Sequence, residues 1–281
     1  MSPQVWLITG TSSGFGAELV KEVIARGDKV IATARNVERI SHMRDIGAAT
    51  LQLDVTASQD ELNRKAAETI SIYGRVDILV NNAGYTQFGI VEETSHDQWF
   101  NQFNTNVFGT LNTSRAFLPH MRSSKAGIVV FIGSMVAWDG LPAGGAYCAS
   151  KAAIHYAAES LSKELEPIGI RTLLVEPGAF RTELLNQASS SRAISEVDDY
   201  RAISKAVAKK FDDFNGNQPG DTVKGVQRIV DVVKGENDAK DKPWPSSLPL
   251  GSDAVSVIRQ KCENTLRDLE AWENFAKSTD I

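Results

Sequence analysis

The sequence predicts a doubly wound α/β fold: a parallel sheet of about seven strands with helices on both faces, forming one Rossmann-type domain over residues 1–281. Two observations predict it. Short, continuous apolar runs alternate with longer segments whose apolar residues recur at helical spacing, and a glycine-rich turn follows the first of those runs. Strands covered on both faces read as unbroken apolar runs, and a helix is the usual crossover between parallel strands.

Val5-Trp6-Leu7-Ile8 is the first strand, and a helical stretch runs from the glycine turn to Arg26. Lys29–Thr33 and Thr50–Leu53 are the second and third strands. Ser58 and Glu61 have the spacing of a capping box, after which Leu62, Ala66, Ile70 and Tyr73 form one helical face. Asp77–Val80 is the fourth strand and Gly127–Ile132 the fifth. An alanine-rich helix covers 146–166, followed by Ile170–Val175 as the sixth strand. After Pro177-Gly178 the pattern loosens. Residues 179–218 read as a substrate-cap insertion, with a serine-rich piece (Ser189, Ser190, Ser191) and a polar helical stretch from Glu196 to Phe214. Val223, Val226, Ile229, Val230 and Val233 mark an amphipathic helix. Prolines hold KPWPSSLPLG extended, and Val255, Ile258, Cys262, Leu266 and Leu269 trace a last helix over 252–277.

Bulk properties exclude several classes. Lys+Arg number 30 against 35 Asp+Glu, for a net charge of −5, and the basic residues are scattered, so a nucleic-acid partner is not expected. No window approaches the roughly 18 consecutive apolar residues of a membrane span. The N-terminal segment MSPQVWLITG has no cationic part, and its apolar part is too short for a signal peptide. The 2 cysteines make neither a disulfide framework nor a zinc cluster, and Cys148 reads as a small packing residue. His42, His96, His120 and His155 match no ligand spacing, so no metal is expected. A soluble, cytoplasmic protein is expected.

The turn Thr9-Gly10-Thr11-Ser12-Ser13-Gly14-Phe15-Gly16 joins the first strand to the first helix. Its glycines permit a tight turn and a close approach of backbone to a pyrophosphate, which the free N–H groups of the helix N-terminus attract. An acid at the end of the second strand would bind the ribose 2′-hydroxyl of NAD. Here the strand ends Thr33-Ala34-Arg35-Asn36, and Arg35 can pair with a 2′-phosphate through its planar fork. NADP(H) is therefore expected in preference to NAD(H).

Further on, Ser134 precedes Tyr147, and Lys151 lies four positions after Tyr147. Positions i and i+4 project from one helix face, so phenol and ammonium point the same way. A phenol of pKa near 10 is a poor acid or base at neutral pH, and a neighbouring cation lowers that value. Asn106 shares a helical stripe with Trp99, Phe103 and Thr110, so it faces inward, where its amide must find partners.

Assembled, these residues resemble the short-chain dehydrogenase/reductase family over about residues 5–182. The motifs are Thr9 to Gly16, Asp54, Asn81-Asn82-Ala83-Gly84, Asn106, Ser134, Tyr147, Lys151, and Pro177-Gly178 with Thr182. Leu248-Pro249-Leu250-Gly251, followed by Asp253-Ala254, is similar to the branch related to 17β-hydroxysteroid and retinol dehydrogenases.

The resemblance implies that Tyr147 exchanges a proton with the carbonyl or alcohol oxygen. Lys151 would bind the nicotinamide ribose and depress the tyrosine pKa. Ser134 would hydrogen-bond the substrate oxygen, and Asn106 would help hold a water linking Lys151 to solvent. Asp54 would contact adenine, Asn82, Ala83 and Gly84 would line the cofactor groove with Pro177 and Gly178, and Thr182 would hold the carboxamide.

The expected function is thus NADP-dependent interconversion of a ketone or aldehyde and an alcohol. Pocket walls are expected from Phe88 to Val91, Met135 to Ala143 and Phe180 to about Phe214, where Met135, Val136, Trp138, Leu141, Phe180, Leu184 and Leu185 predict a mainly apolar substrate pocket. The alternatives are a redox-neutral or epimerising enzyme that retains NADP, and a non-catalytic dinucleotide sensor. The resemblance also implies a homo-oligomer, dimer or tetramer, acting on a small molecule.

Overall fold

A computed structural model describes residues 2–185, 190–191 and 194–281. Seven strands form one all-parallel sheet: β1 (Val5–Ile8), β2 (Lys29–Ala34), β3 (Ala49–Gln52), β4 (Ile78–Asn81), β5 (Gly127–Ile132), β6 (Ile170–Pro177) and β7 (Ser247–Leu250). Their spatial order is 3-2-1-4-5-6-7, with Leu7 beside both Ile31 and Leu79, and Val130 beside Leu173. The first six strands lie within about two residues of their sequence positions. β7 comes from the proline-held segment, which Trp244 anchors by donating its indole N–H to the Thr172 carbonyl at 2.7 Å.

Helices α1 (Gly14–Ala25) and α7 (Thr222–Lys234) cover one face of the sheet. There Leu19, Val20 and Val23 meet Val226, Ile229 and Val230, all nearly inaccessible to solvent. Helices α2 (Gln59–Tyr73), α4 (Thr110–Ser124) and α5 (Gly145–Leu165) cover the other face, burying Ala66, Phe117, Met121, Ile154 and Leu165. This arrangement explains why VWLI and GIVVFI carry no polar alternation: both of their faces are covered.

Two local expectations change. The Ser58 hydroxyl accepts from the Glu61 N–H at 3.3 Å, but the reciprocal half of the box is not made, because the Glu61 carboxylate pairs with Arg64. The complete capping box belongs to α3 (His96–Phe103), between Ser95 and Gln98. α3 then passes through a π turn, Asn104–Gly109, into α4.

Strand order reverses between β1 and β4, so the loops leaving β1 and β4 diverge and open a crevice at the strands' C-terminal ends. Helix α6 (Asp198–Phe214) reaches that crevice through Phe211. It is tethered to the loop before α3: Glu93 accepts from the Glu196 N–H at 2.9 Å, and Tyr200 donates to Glu92 at 2.7 Å. Thr86–Gln87 pairs with Ser190–Ser191 as a short second sheet. Ser189 lies outside the described residues, as do the side chains of Leu185, Ser190 and Ser191. The last helix, α8, spans Ser252–Lys277.

Candidate active site

The crevice encloses about 1130 Å³, and one end of it is built by the glycine turn. Gly10 has φ +68, and a Cβ there would lie 2.7 Å from the Ala83 Cα. A Cβ on Gly16 would lie 2.5 Å from the Asn82 amide nitrogen, which itself donates to the carbonyls of Thr9 and Gly10 at 2.9 and 3.0 Å. Only glycine lets the turn nest against the loop after β4. Ser13 caps α1 without any side-chain hydrogen bond, and no acid stands in the first turn. The first N–H groups of α1 therefore face the crevice with a positive potential suited to a pyrophosphate. The cradle and this uncapped helix end fit a dinucleotide.

Gly10, Ser12, Ser13, Gly14 and Phe15 line the crevice, with Arg35 and Asp54 at its far end and Asn82, Ala83 and Gly84 along its side. Asp54 is partly engaged, accepting from the Thr56 N–H and hydroxyl at 2.9 and 2.8 Å. Two residues of the turn sit elsewhere. Gly16 packs behind it. Thr11 is fully buried and bonds the Thr33 carbonyl through both its N–H and its hydroxyl, so it joins the turn to β2 and presents nothing to the crevice.

Pro177, Gly178, Phe180 and Thr182 line the opposite wall. That loop is held by a residue distant in sequence, because Asp253 at the start of α8 accepts from the Ala179 N–H at 2.7 Å. Phe180 packs edge-on to Phe15, with ring centroids 5.0 Å apart.

At the middle of the crevice, α5 presents Tyr147 and Lys151 from one face. The Lys151 ammonium is 5.9 Å from the Tyr147 ring centroid and donates to the Ile132 carbonyl at 2.7 Å. Ser134, which caps the turn Met135–Ala137, lines the crevice beside Tyr147. Both titrating groups are perturbed mainly by desolvation, which penalises a charge taken from water. Burial pushes the Tyr147 phenol up to about 12, with Ser134 pulling the other way. Burial brings the Lys151 ammonium down to about 8. Burial thus shifts the phenol upward, against the depression that the resemblance implied for Lys151, whose ammonium directs a proton at the Ile132 carbonyl.

Asn106 is 3% exposed and does not line the crevice. Its side-chain oxygen accepts from the Tyr85 N–H at 3.1 Å, and its amide donates to the Tyr85 carbonyl at 3.0 Å and the Ser150 hydroxyl at 3.2 Å. The π turn rotates it into this position. Its amide therefore braces the loop after β4 against α5, where the resemblance implied a hold on water.

The end of the crevice away from Arg35 is apolar. Phe88, Met135, Val136, Leu141, Leu184 and Phe211 line it, with the Phe88 and Phe211 ring centroids 4.5 Å apart. Trp138 does not join them. Its indole N–H donates at 2.8 Å to the fully buried Glu176 carboxylate, which also receives His155 at 2.8 Å, so Trp138 is turned away from the crevice. Cys148 is a packing residue: its thiol is buried and pushed up in pKa by that burial.

Sequence reasoning missed Arg39 and Asp253, and reached Phe211 only as part of the wall segment from Phe180 to about Phe214. Arg39 lines the crevice beside Arg35, and its signal was available: it stands four positions on in the helical turn Val37–Arg44. Asp253 and Phe211 reach the site from elements remote in sequence. Among the described residues no cluster of acids, histidines and cysteines could hold a metal, and no helix is long and apolar enough to cross a membrane.

A family model described as short chain dehydrogenase matches residues 4–193. An uncharacterised oxidoreductase, YusZ of Bacillus subtilis, is 33% identical over 247 residues, covering 83% of this chain and 84% of its own. A 3-ketodihydrosphingosine reductase of Bacteroides thetaiotaomicron is 36% identical over 201 residues, 71% of this chain and 72% of its own. The crystal structure of a short-chain dehydrogenase from Streptomyces avermitilis superposes with a TM-score of 0.87 at 35% identity, covering 99% of both chains. These relatives are oxidoreductases of varied kinds and do not single out the hydroxysteroid and retinol dehydrogenase branch.

Proposed function

The chain belongs to the short-chain dehydrogenase/reductase family, and from that premise we propose that it is an NADP-dependent reductase of apolar ketones or aldehydes. The observation that carries this reading is the seating of Tyr147, Ser134 and Lys151 between the glycine turn and an apolar recess in one crevice. When bound, the nicotinamide dinucleotide supplies or accepts the hydride.

The protein's own contribution is proton chemistry and positioning. Tyr147 and Ser134 line the same part of the crevice, where a carbonyl oxygen can accept from both hydroxyls. A phenol held at about 12 stays protonated at neutral pH, which makes it a donor and favours the reductive direction. Lys151, at about 8, is mostly charged near pH 7 and places a cation beside the oxygen that takes up negative charge. The recess excludes water around the reacting carbon.

Cofactor preference rests on two cations. Arg35 and Arg39 both line the adenosine end, where no acid follows β2, and paired guanidinium groups suit a 2′-phosphate. The Phe88 and Phe211 pair and the aliphatic wall around it support a flat or extended apolar substrate. So does the relative named as a 3-ketodihydrosphingosine reductase.

The test is Tyr147→Phe assayed on a panel of carbonyl compounds. The variant keeps NADPH binding and loses about 10²–10⁴-fold in kcat, the usual worth of general acid–base catalysis. Near-full activity in the variant removes Tyr147 from the mechanism. Turnover without net NADPH consumption favours the redox-neutral alternative.

A further inference from the structure

Helix α8 leaves the body of the protein almost at once. Ala254 is its one buried residue, and every residue from 259 onward is exposed. The stretch 259–277 therefore stands free over roughly 28 Å at about 1.5 Å per residue. Its apolar side chains are large: Leu266, Leu269, Trp272 and Phe275 are 59, 62, 62 and 71% exposed. They follow a seven-residue repeat. Val255, Cys262 and Leu269 form one series, Ile258, Thr265 and Trp272 the other, offset by three, which is the a/d seam of a coiled coil. Leu266 and Phe275 flank that seam. A lone helix of this length is marginal in water and takes most of its stability from packing an apolar face.

We propose that this face is a self-pairing surface on which a second copy of the chain docks its own α8 antiparallel. The charges select that occupant. Arg259, Lys261 and Arg267 outnumber Glu263 in the proximal half of the free stretch, while Asp268, Glu270 and Glu273, the last paired with Lys277, leave the distal half net acidic. Antiparallel pairing about an axis near residue 264 brings Arg259 and Lys261 of each copy onto Asp268 of the other, a contact the two-fold makes twice. The same axis layers Val255 on Trp272, Ile258 on Leu269 and Cys262 on Thr265 across the pair. The two-fold makes one patch complementary to itself, as an isologous dimer requires. A lipid surface fits less well, because membrane-surface helices carry a Lys/Arg-rich polar face and α8 has four basic against five acidic residues.

The test is the solution mass of the full chain by sedimentation equilibrium. The wild type associates in even multiples of its 30.6 kDa protomer. Leu269→Glu with Trp272→Glu halves that mass and leaves kcat unchanged, since neither residue touches the crevice. A monomeric wild type, or a double variant of undiminished mass, overturns the proposal. Lys261→Glu and Asp268→Lys each weaken self-association about tenfold, and an equimolar mixture of the two regains it. A mixture that associates no better than its components overturns the antiparallel arrangement. A wild type that stays monomeric yet sediments with phosphatidylserine vesicles assigns the face to lipid.

Discussion

Replacing Gly16 by alanine sets two opposed effects against each other. Gly16 is in the first turn of α1, and alanine in a helix gains about 1 kcal/mol over glycine. Against that, the new Cβ would stand 2.5 Å from the Asn82 amide nitrogen, 3.0 Å from the Thr11 Cα, and closer still to the Gly10 carbonyl oxygen. Two of those three neighbours are backbone and cannot rotate away. Asn82 must then leave its bonds to the Thr9 and Gly10 carbonyls, each worth about 1 kcal/mol net. Overpacking of the turn adds about 1–3 kcal/mol. The clash wins by about 3 kcal/mol, which for a chain of this size lowers Tm by roughly 6–12 °C. Differential scanning fluorimetry reads that shift, and titration with NADPH reads an accompanying loss of affinity of at least about tenfold. Gly140→Ala is the control, since a Cβ there meets nothing within 4 Å. A Gly16→Ala protein that melts with the control and binds NADPH normally would refute the view that the turn is sterically closed.

The remaining predictions concern the charges of the site. Arg35→Ala combined with Arg39→Ala weakens NADPH binding about 50-fold, as expected for two solvent-screened charged hydrogen bonds, and leaves NADH affinity within about threefold. Equal losses for the two dinucleotides would remove both arginines from the choice of cofactor. For pH, carbonyl reduction needs the phenol protonated and the ammonium charged. As pH rises the Lys151 proton is lost first, near 8, and the phenol stays protonated to about 12. The kcat/KM for reduction therefore falls through an inflection near pH 8. A profile flat to pH 10 contradicts the assignment of Lys151 as the titrating group.

Much of the fold was legible because its signals are local. Continuous apolar runs reveal strands covered on both faces, and i, i+4 spacing places Tyr147 and Lys151 on one side of α5 whatever surrounds them. Arg35 could be read for the same reason, since the end of β2 is set by the strand itself.

Other features depend on partners far along the chain. Trp138 has the composition of a pocket wall, yet a buried carboxylate at Glu176 draws its indole out of the crevice. Thr11 lies inside the turn motif but spends its hydroxyl on β2. The titration of Tyr147 follows from how much protein surrounds it, which no spacing reveals. Asp253 secures the loop at Ala179 across 74 positions. Nearest-neighbour geometry is written along the chain, so elements and their facing residues follow from local order. Which side chain meets the crevice, and what proton it holds there, depends on dielectric and hydrogen-bond partners that exist only once distant segments have packed.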